Sequence, residues 1–248
     1  MFVADFNAAN MHFEKASTGS SGQKQVLVYK DGSSTRASNR IEFQLSPDVT
    51  APVDCKFPLD TVKEGENPLR RGQKFKLTEP QTLAALAAID EKIIATAIER
   101  SAEWFGKTLP ADQIRARYQP IAEVKKDGDD HHTMKMTVKM PGSRVPTQLH
   151  LMEPSGKVRK HGGRAEHLEL RCARVVAVVS AYSIYFLGAA TQFGLAFQAE
   201  KLIITPGVED DGLAGFVSSK PIECVSDAAA PSATKEEEVE LVDDYAAM

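Results

Sequence analysis

The twenty-five residues from Val175 to Ala199 include no charged side chain. A stretch of that length either crosses a membrane as a helix, for which about 20 apolar residues are enough, or lies buried in a sheet. Its composition decides between the two. Valines and aromatics outweigh leucine, and Ser180, Ser183, Gly188, Thr191, Gln192 and Gly194 interrupt the run. Branched and aromatic residues suit a pleated, packed surface. The segment therefore reads as two buried strands joined by a turn at Gly188-Ala189-Ala190. A chain committed to such a hairpin has to build a sheet around it.

The rest of the sequence supplies that sheet. Gln25-Val26-Leu27-Val28-Tyr29 precedes a turn at Asp31-Gly32, and Ile41, Phe43 and Leu45 then alternate with polar residues before Pro47 and Pro52. Lys74-Phe75-Lys76-Leu77 alternates in the same way. In Thr133–Met140, Met134, Met136, Val138 and Met140 share one face, with Lys135, Thr137 and Lys139 on the other. Thr147–Leu151, Leu168–Val179, Ser183–Leu187, Gly194–Ala199 and Lys201–Thr205 complete the extended set. One segment has a different period: Leu83, Leu86, Ile89, Ile93, Ala97 and Trp104 recur at helical spacing. Thr78-Glu79-Pro80-Gln81 before it resembles a capping box with Thr78 as the N-cap, and Gly106 is suited to end the helix. A shorter helix is expected between Pro110 and Pro120. Many short strands and one long helix predict a mainly β (α+β) fold: a five-stranded OB-fold-like barrel with a helical insertion.

Charge divides the chain. From Asp227 onward there are seven acids and one base, a net of −6. The whole chain carries −4, so residues 1–226 carry +2. A segment so acidic and so poor in apolar residues does not fold alone, and terminal acidic blocks act as interaction tails. The expected division is a flexible N-terminal arm over 1–24, a binding domain over 25–205 with its insertion at about 78–118, a linker over 206–226 and an acidic tail over 227–248. Phe2, Phe6 and Phe13 are positioned to pin the arm to the body. Cys55, Cys172 and Cys224 are odd in number and lack metal or redox spacing, which suits a reducing, intracellular setting. No basic n-region followed by an apolar h-region opens the sequence, so secretion is not expected.

Enzymatic signatures are missing: there is no phosphate loop, nucleophile elbow or zinc-protease helix. His131 and His132 are adjacent, so on a strand they face opposite ways and chelate poorly. His161 and His167 have no obvious acid partner, and no carboxylate cluster has divalent-metal spacing. No catalytic residue, metal or cofactor is expected.

Binding signatures are present. Lys135 and Lys139 share a strand face, with Arg144 just beyond. Lys157, Arg159, Lys160 and Arg164 lie among Gly156, Gly162 and Gly163, and Arg70, Arg71, Lys74 and Lys76 form a third basic set. Cations gathered on one surface neutralise phosphates and release counterions, giving salt-dependent binding without sequence preference. Single strands are also held by stacking on aromatic rings. Tyr182, Tyr185, Phe186, Phe193 and Phe197 are close in sequence. Strict alternation sends Tyr185 to the face opposite Tyr182 and Phe186. The expectation is Phe186 and Phe197 inside, with Tyr185 and Phe193 available to bases.

These pieces, in order, resemble a known family. They are Gly22-Gln23-Lys24, Ile41-Glu42-Phe43-Gln44-Leu45-Ser46-Pro47, Ser101-Ala102-Glu103-Trp104-Phe105-Gly106-Lys107 and Tyr118-Gln119-Pro120. Met136-Thr137-Val138-Lys139-Met140 with Pro146-Thr147, Ile184-Tyr185-Phe186, and Phe193-Gly194-Leu195-Ala196-Phe197-Gln198 follow, before the acidic end. The set resembles the OB-fold single-stranded DNA-binding proteins of large eukaryotic DNA viruses, which are akin to those of some podophages. It spans residues 20–205 plus the tail. The resemblance implies a non-enzymatic protein that binds single-stranded DNA in viral replication, recombination and repair, inside the host cytoplasm or nucleus. It implies a tail (Glu236, Glu237, Glu238, Glu240, Asp243, Asp244, Tyr245) that occupies the DNA groove and, when displaced, recruits a DNA polymerase or helicase. A second copy of the chain is a further expected partner; a membrane is not. Tails of the phage type end on an aromatic, whereas Ala246-Ala247-Met248 follow Tyr245 here. The competing readings are a structural or virion assembly protein, whose uncharged hairpin would be interface, and a nuclease, which the missing metal cluster disfavours.

Overall fold

The computed structural model describes residues 1–19, 22–30, 40–48, 51–55, 59–65, 67–124, 132–153, 155–160, 170, 173–188 and 190–205. They belong to one unit, Met1–Val208. The turn at Asp31-Gly32, Arg164, the linker and the acidic tail lie outside the described residues.

The uncharged run forms the spine. Strands β12 (Ala173–Leu187) and β13 (Gln192–Thr205) pair antiparallel from Arg174↔Thr205 to Leu187↔Gln192. Both are longer than the sequence pattern implies, because each pair of predicted short strands is one continuous strand. Along the free edge of β12 three strands follow one another, all antiparallel to it. They are β3 (Lys24–Lys30), β4 (Ile41–Gln44) and β5 (Val53–Cys55). Along the free edge of β13 lie β7 (Tyr118–Gln119), β9 (His132–Lys139) and β10 (Gln148–Met152), all parallel to it. Strand β6 (Arg70–Leu77) runs antiparallel to β9 and touches β5 through Asp54↔Lys76. The pairings thus run in a circuit, β12–β5–β6–β9–β13–β12. The short strands β1 (Met11–Phe13), β2 (Ser17–Thr18), β8 (Glu123–Val124) and β11 (Val158–Lys160) extend its edges.

The first nineteen residues, expected to be a loose arm, build elements of the same unit. Val3, Phe6, Met11 and Phe13 are all buried. Phe6 meets Phe43 at 6.1 Å between ring centroids, and Phe13 meets Trp104 at 5.8 Å. Aromatic burial of this size outweighs the glycine-rich composition of the segment that follows.

The helical insertion is α1 (Pro80–Glu99), α2 (Ser101–Phe105) and α3 (Ala111–Arg117). Its N-cap is Glu79 rather than Thr78, with the Glu79 carboxylate accepting from Gln81 N–H at 3.5 Å. Pro80, whose fixed φ suits the first helical turn, sets this boundary one residue later than the hydroxyl pattern suggests. The long helix breaks at Arg100, whose guanidinium donates to the Phe13 carbonyl at 2.9 Å. Trp104 is therefore on α2, fully buried against Phe186 and Phe193 at 6.1 and 6.4 Å. Gly106 ends α2 in the left-handed region, as expected. Among the described residues no helix is long and apolar enough to cross a membrane.

The hairpin tip carries local strain. Gly188 has φ +53°, and Ala190 has φ +65° with a side chain that disfavours it. Ala190 is held there by Arg117, which donates to its carbonyl at 3.1 Å, and by the adjoining Thr191 N–H, which donates to Leu187 O at 3.0 Å. Ala190→Gly should raise stability by about 1 kcal/mol. A chemical-denaturation midpoint compared with the parent chain checks this, and a lowered midpoint would show that the turn needs its methyl group.

Candidate nucleic-acid interface

Strands β6 and β9 pair along their whole length. On one face of the ladder lie Arg71↔Val138, Gln73↔Met136, Phe75↔Met134 and Leu77↔His132. Phe75, Leu77, Met134, Met136 and Val138 are buried there at 2 % exposure or less. On the other face lie Arg70↔Lys139, Gly72↔Thr137, Lys74↔Lys135 and Lys76↔Thr133. Directly opposed side chains start about 4.5–5.5 Å apart. The outward face therefore holds two rungs of like charge with an uncharged rung between them. Like charges placed opposite one another oppose pairing, and the apolar burial on the reverse face holds them together.

The Arg70–Lys139 rung has a wider neighbourhood. Partial burial pushes the Lys139 ammonium down from its ordinary value, nearby Glu200 pulls it back up, and Arg70 and Arg40 push it down further. Arg40 meets Glu200 at 3.7 Å. Glu200 also accepts from Ser180 Oγ and from Gln198 Nε2. Arg40, Arg70 and the Glu200 carboxylate thus all lie close enough to Lys139 to act on its charge. Thr147 sets the height of this group: its hydroxyl accepts from Lys139 N–H at 2.9 Å and donates to Ala199 O at 2.7 Å, tying β9 to β13.

Two tyrosines join the same face because β12 and β13 do not alternate strictly. The register shifts once at Val178/Val179, leaving Glu200 as an extra residue on β13, and again at Ala181/Ser183, leaving Tyr182 extra on β12. An extra residue reverses the alternation beyond it. Tyr182 therefore lies on the same side as Tyr185, which corrects the expectation of opposite faces. Tyr182 shares a hydrogen bond with Thr137 and lies near Arg70. Tyr185 lines a cleft of about 370 Å³ together with Lys74, Lys135, Thr137, Gln119 and Glu123. Burial raises the phenol pKa of both rings, and Glu123 raises that of Tyr185 further. Gly194 makes the berth for Tyr185: a Cβ there would sit 2.7 Å from the Tyr185 hydroxyl oxygen and 3.2 Å from Gln119 O.

The predicted site residues divide accordingly. Arg70, Lys74, Lys135, Lys139 and Tyr185 come together. Arg71 does not: it lies on the reverse face of β6, and its Nε donates to Asp60 O at 2.8 Å. Phe193 is the clearest correction. It is fully buried, with Phe105 and Tyr118 each 5.2 Å away, because Gly194 takes the outward position beside it. Phe186 and Phe197 are buried as expected. Arg144 is exposed in the turn after β9, where Ser143 Oγ donates to Leu69 O at 3.2 Å and ties the turn to the start of β6. Lys157, Arg159 and Lys160 are exposed at β11; Arg159 is paired with Glu153 at 3.1 Å. Lys160 lies opposite His150, whose pKa is lowered by burial and by Lys201 and Lys160. Arg164 and the tail residues Glu236, Glu237, Glu238, Glu240, Asp243, Asp244 and Tyr245 lie outside the described residues. Sequence reasoning missed Arg40 and Tyr182. Arg40 directly precedes an alternating strand and was legible; the bulge that turns Tyr182 outward leaves no mark in the pattern. Among the described residues no three His, Cys, Asp or Glu side chains are grouped to hold a metal.

No protein-family model and no curated protein matches the chain. Among solved structures it is similar to the single-stranded DNA-binding protein from bacteriophage Enc34 in complex with ssDNA, at 12% identity and a TM-score of 0.42, over 79% of this chain and 98% of that one. It is also similar to gp2.5, a single-stranded DNA-binding protein encoded by bacteriophage T7, at 15% identity and a TM-score of 0.37, over 77% of this chain and all of that one. These neighbours are phage ssDNA-binding proteins.

One wall of the cleft is tied to the insertion. Asp90 on α1 accepts from the Tyr118 hydroxyl at 2.6 Å and from Ile121 N–H at 3.3 Å. Burial raises its carboxyl from 3.8 to about 6, against the lowering effect of those two hydrogen bonds. A raised folded value means stability that is present at low pH and lost as pH rises through about 6. Asp90→Asn removes that dependence. Between pH 5 and 7 the stability of the parent chain relative to this variant should fall by about 1 kcal/mol. Denaturant midpoints of both proteins at the two pH values test this, and parallel shifts would mean that the Asp90 carboxyl is already ionised at pH 5 in the folded chain.

Proposed function

We propose that the chain binds single-stranded DNA without sequence preference, through the outward face of β6 and β9. The observation that carries this is the pair of cationic rungs, Arg70–Lys139 and Lys74–Lys135, beside half-buried Tyr182 and Tyr185. Rungs of this kind serve phosphates, and rings on the same face serve unstacked bases. A duplex keeps its bases stacked inside and gains only from the charges. In this reading the strand circuit is an OB-type barrel, the function is viral replication, recombination and repair, and the acidic tail competes with DNA for the face before recruiting a polymerase or helicase. The intracellular location belongs to the same proposal.

Anisotropy titrations of labelled oligo(dT) and a duplex of equal length, at two salt concentrations, test it. The single strand should bind more tightly, with affinity falling as salt rises. Tyr185→Ala should cost about 1–3 kcal/mol. Lys139→Gln should weaken binding to all sequences alike and flatten the logarithmic salt slope by about 0.7. Equal affinity for duplex and single strand would defeat the stacking role of the tyrosine. Removing residues 227–248 should tighten binding at matched salt; unchanged affinity would remove the tail from the mechanism.

A further inference from the structure

The uncharged rung between the two cationic ones is filled by a carboxylate. Asp60 Oδ2 lies 2.8 Å from Lys135 Nζ. The pair sits over Gly72: a Cβ there would overlap Asp60 Oδ2 and lie 2.7 Å from Lys135 Cε. A side chain at that position would oblige the Asp60 carboxylate or the end of Lys135 to move. The backbone of Asp60 is fixed independently of its side chain. Its N–H donates to Gly72 O at 2.8 Å, and its carbonyl accepts from Arg71 Nε at 2.8 Å. Arg71, which does not reach the cationic face, is thus a strut for the residue that does. Both charged side chains remain open to solvent, at 60% for Lys135 and 44% for Asp60, so the pair can exchange.

A chance surface ion pair needs none of this. Here a glycine clears the space, two backbone bonds hold the anchor, and the acid meets a cation that also lines the cleft beside Tyr185. We propose that Asp60 is a resident stand-in for a phosphate on Lys135, displaced when a single strand enters. This rests on the reading of the face as a single-strand-binding surface. Displacement frees the Asp60 carboxylate, which then gathers a salt cation of its own. Binding at Lys135 therefore releases one counterion fewer than its charge implies. Asp60 is a residue that sets affinity and salt response: small anions and stray polyanions meet a rung already satisfied, while a strand that also stacks on Tyr185 has the additional free energy to replace it.

The test is Asp60→Asn, with Asp60→Ala as the second variant, each in the full chain and each also combined with Lys135→Gln. Both leave the backbone bonds of residue 60 possible, and thermal melts check that each variant folds. Labelled oligo(dT) is titrated across a salt series. An exposed ion pair is worth up to about 1 kcal/mol, so at low salt the single variants should bind about two- to fivefold more tightly. Their logarithmic salt slope should steepen by about 0.7. With Lys135→Gln present, Asp60→Asn should change neither quantity. Unchanged or weaker binding by folded single variants overturns the proposal, and so does an Asp60→Asn gain that persists without Lys135. Failure of the parent chain itself to bind oligo(dT) defeats the single-strand reading, and this proposal with it; binding by the parent with no response to Asp60 defeats this proposal alone.

Discussion

Backbone pairing between β12 and β13 is the constraint on which the remaining architecture rests. Six other strands find their place along the two outer edges of that hairpin, three antiparallel to β12 and three parallel to β13. The hairpin forms without charged residues over most of its length because most of its positions are buried, with Tyr182, Tyr185 and Glu200 among the partly exposed ones. Its two irregularities matter as much as its regular parts. One displaces Glu200 outward, where it gathers Arg40 near Lys139; the other brings Tyr182 to the side of Tyr185. A perfectly alternating hairpin would have put a tyrosine in the core and an acid out of reach of the cations.

The cationic face shows stability being given up locally. Two like-charged rungs on an antiparallel ladder work against the pairing that presents them. They persist because the reverse of the same ladder buries Phe75, Leu77, Met134, Met136 and Val138, each worth roughly 1.5–3 kcal/mol when fully covered. Exposed like-charge pairs cost a fraction of that. The apolar periodicity fixes the register, and the register fixes the charges. A slip of one residue would exchange the two faces.

Much of this was legible in advance, for a definable reason. Period-two alternation in β6 and β9 is strict, so the sequence placed Lys74, Lys135 and Lys139 outward and the methionines inward, as observed. The helical insertion, the stop of α2 at Gly106 and the turn near Gly188 carried strong local signals, whereas the break at Arg100 did not. The misreadings share a cause: tertiary context decided where local pattern was silent. Thr78 looked like the cap, but Pro80 moved the boundary. Phe193 looked available, but Gly194 beside it occupies the outward position and the phenyl ring faces Phe105 and Tyr118. Arg71 looked like a member of a basic set, yet its odd position in the alternation commits it to a carbonyl on a neighbouring loop. Asp60 gave no signal, since nothing around it in sequence refers to Lys135.

The hydrogen bonds that Asp90 accepts from Tyr118 and Ile121 mean that the insertion and the cleft share a wall. Free-energy coupling between two places is reciprocal. Whatever rigidifies the Tyr118–Ile121 segment from the open side also rigidifies α1 from behind, and loosening the helix widens the range of positions that wall can take. The helical excursion from the sheet is thus mechanically part of the groove, although its own surface contributes no cation to either rung.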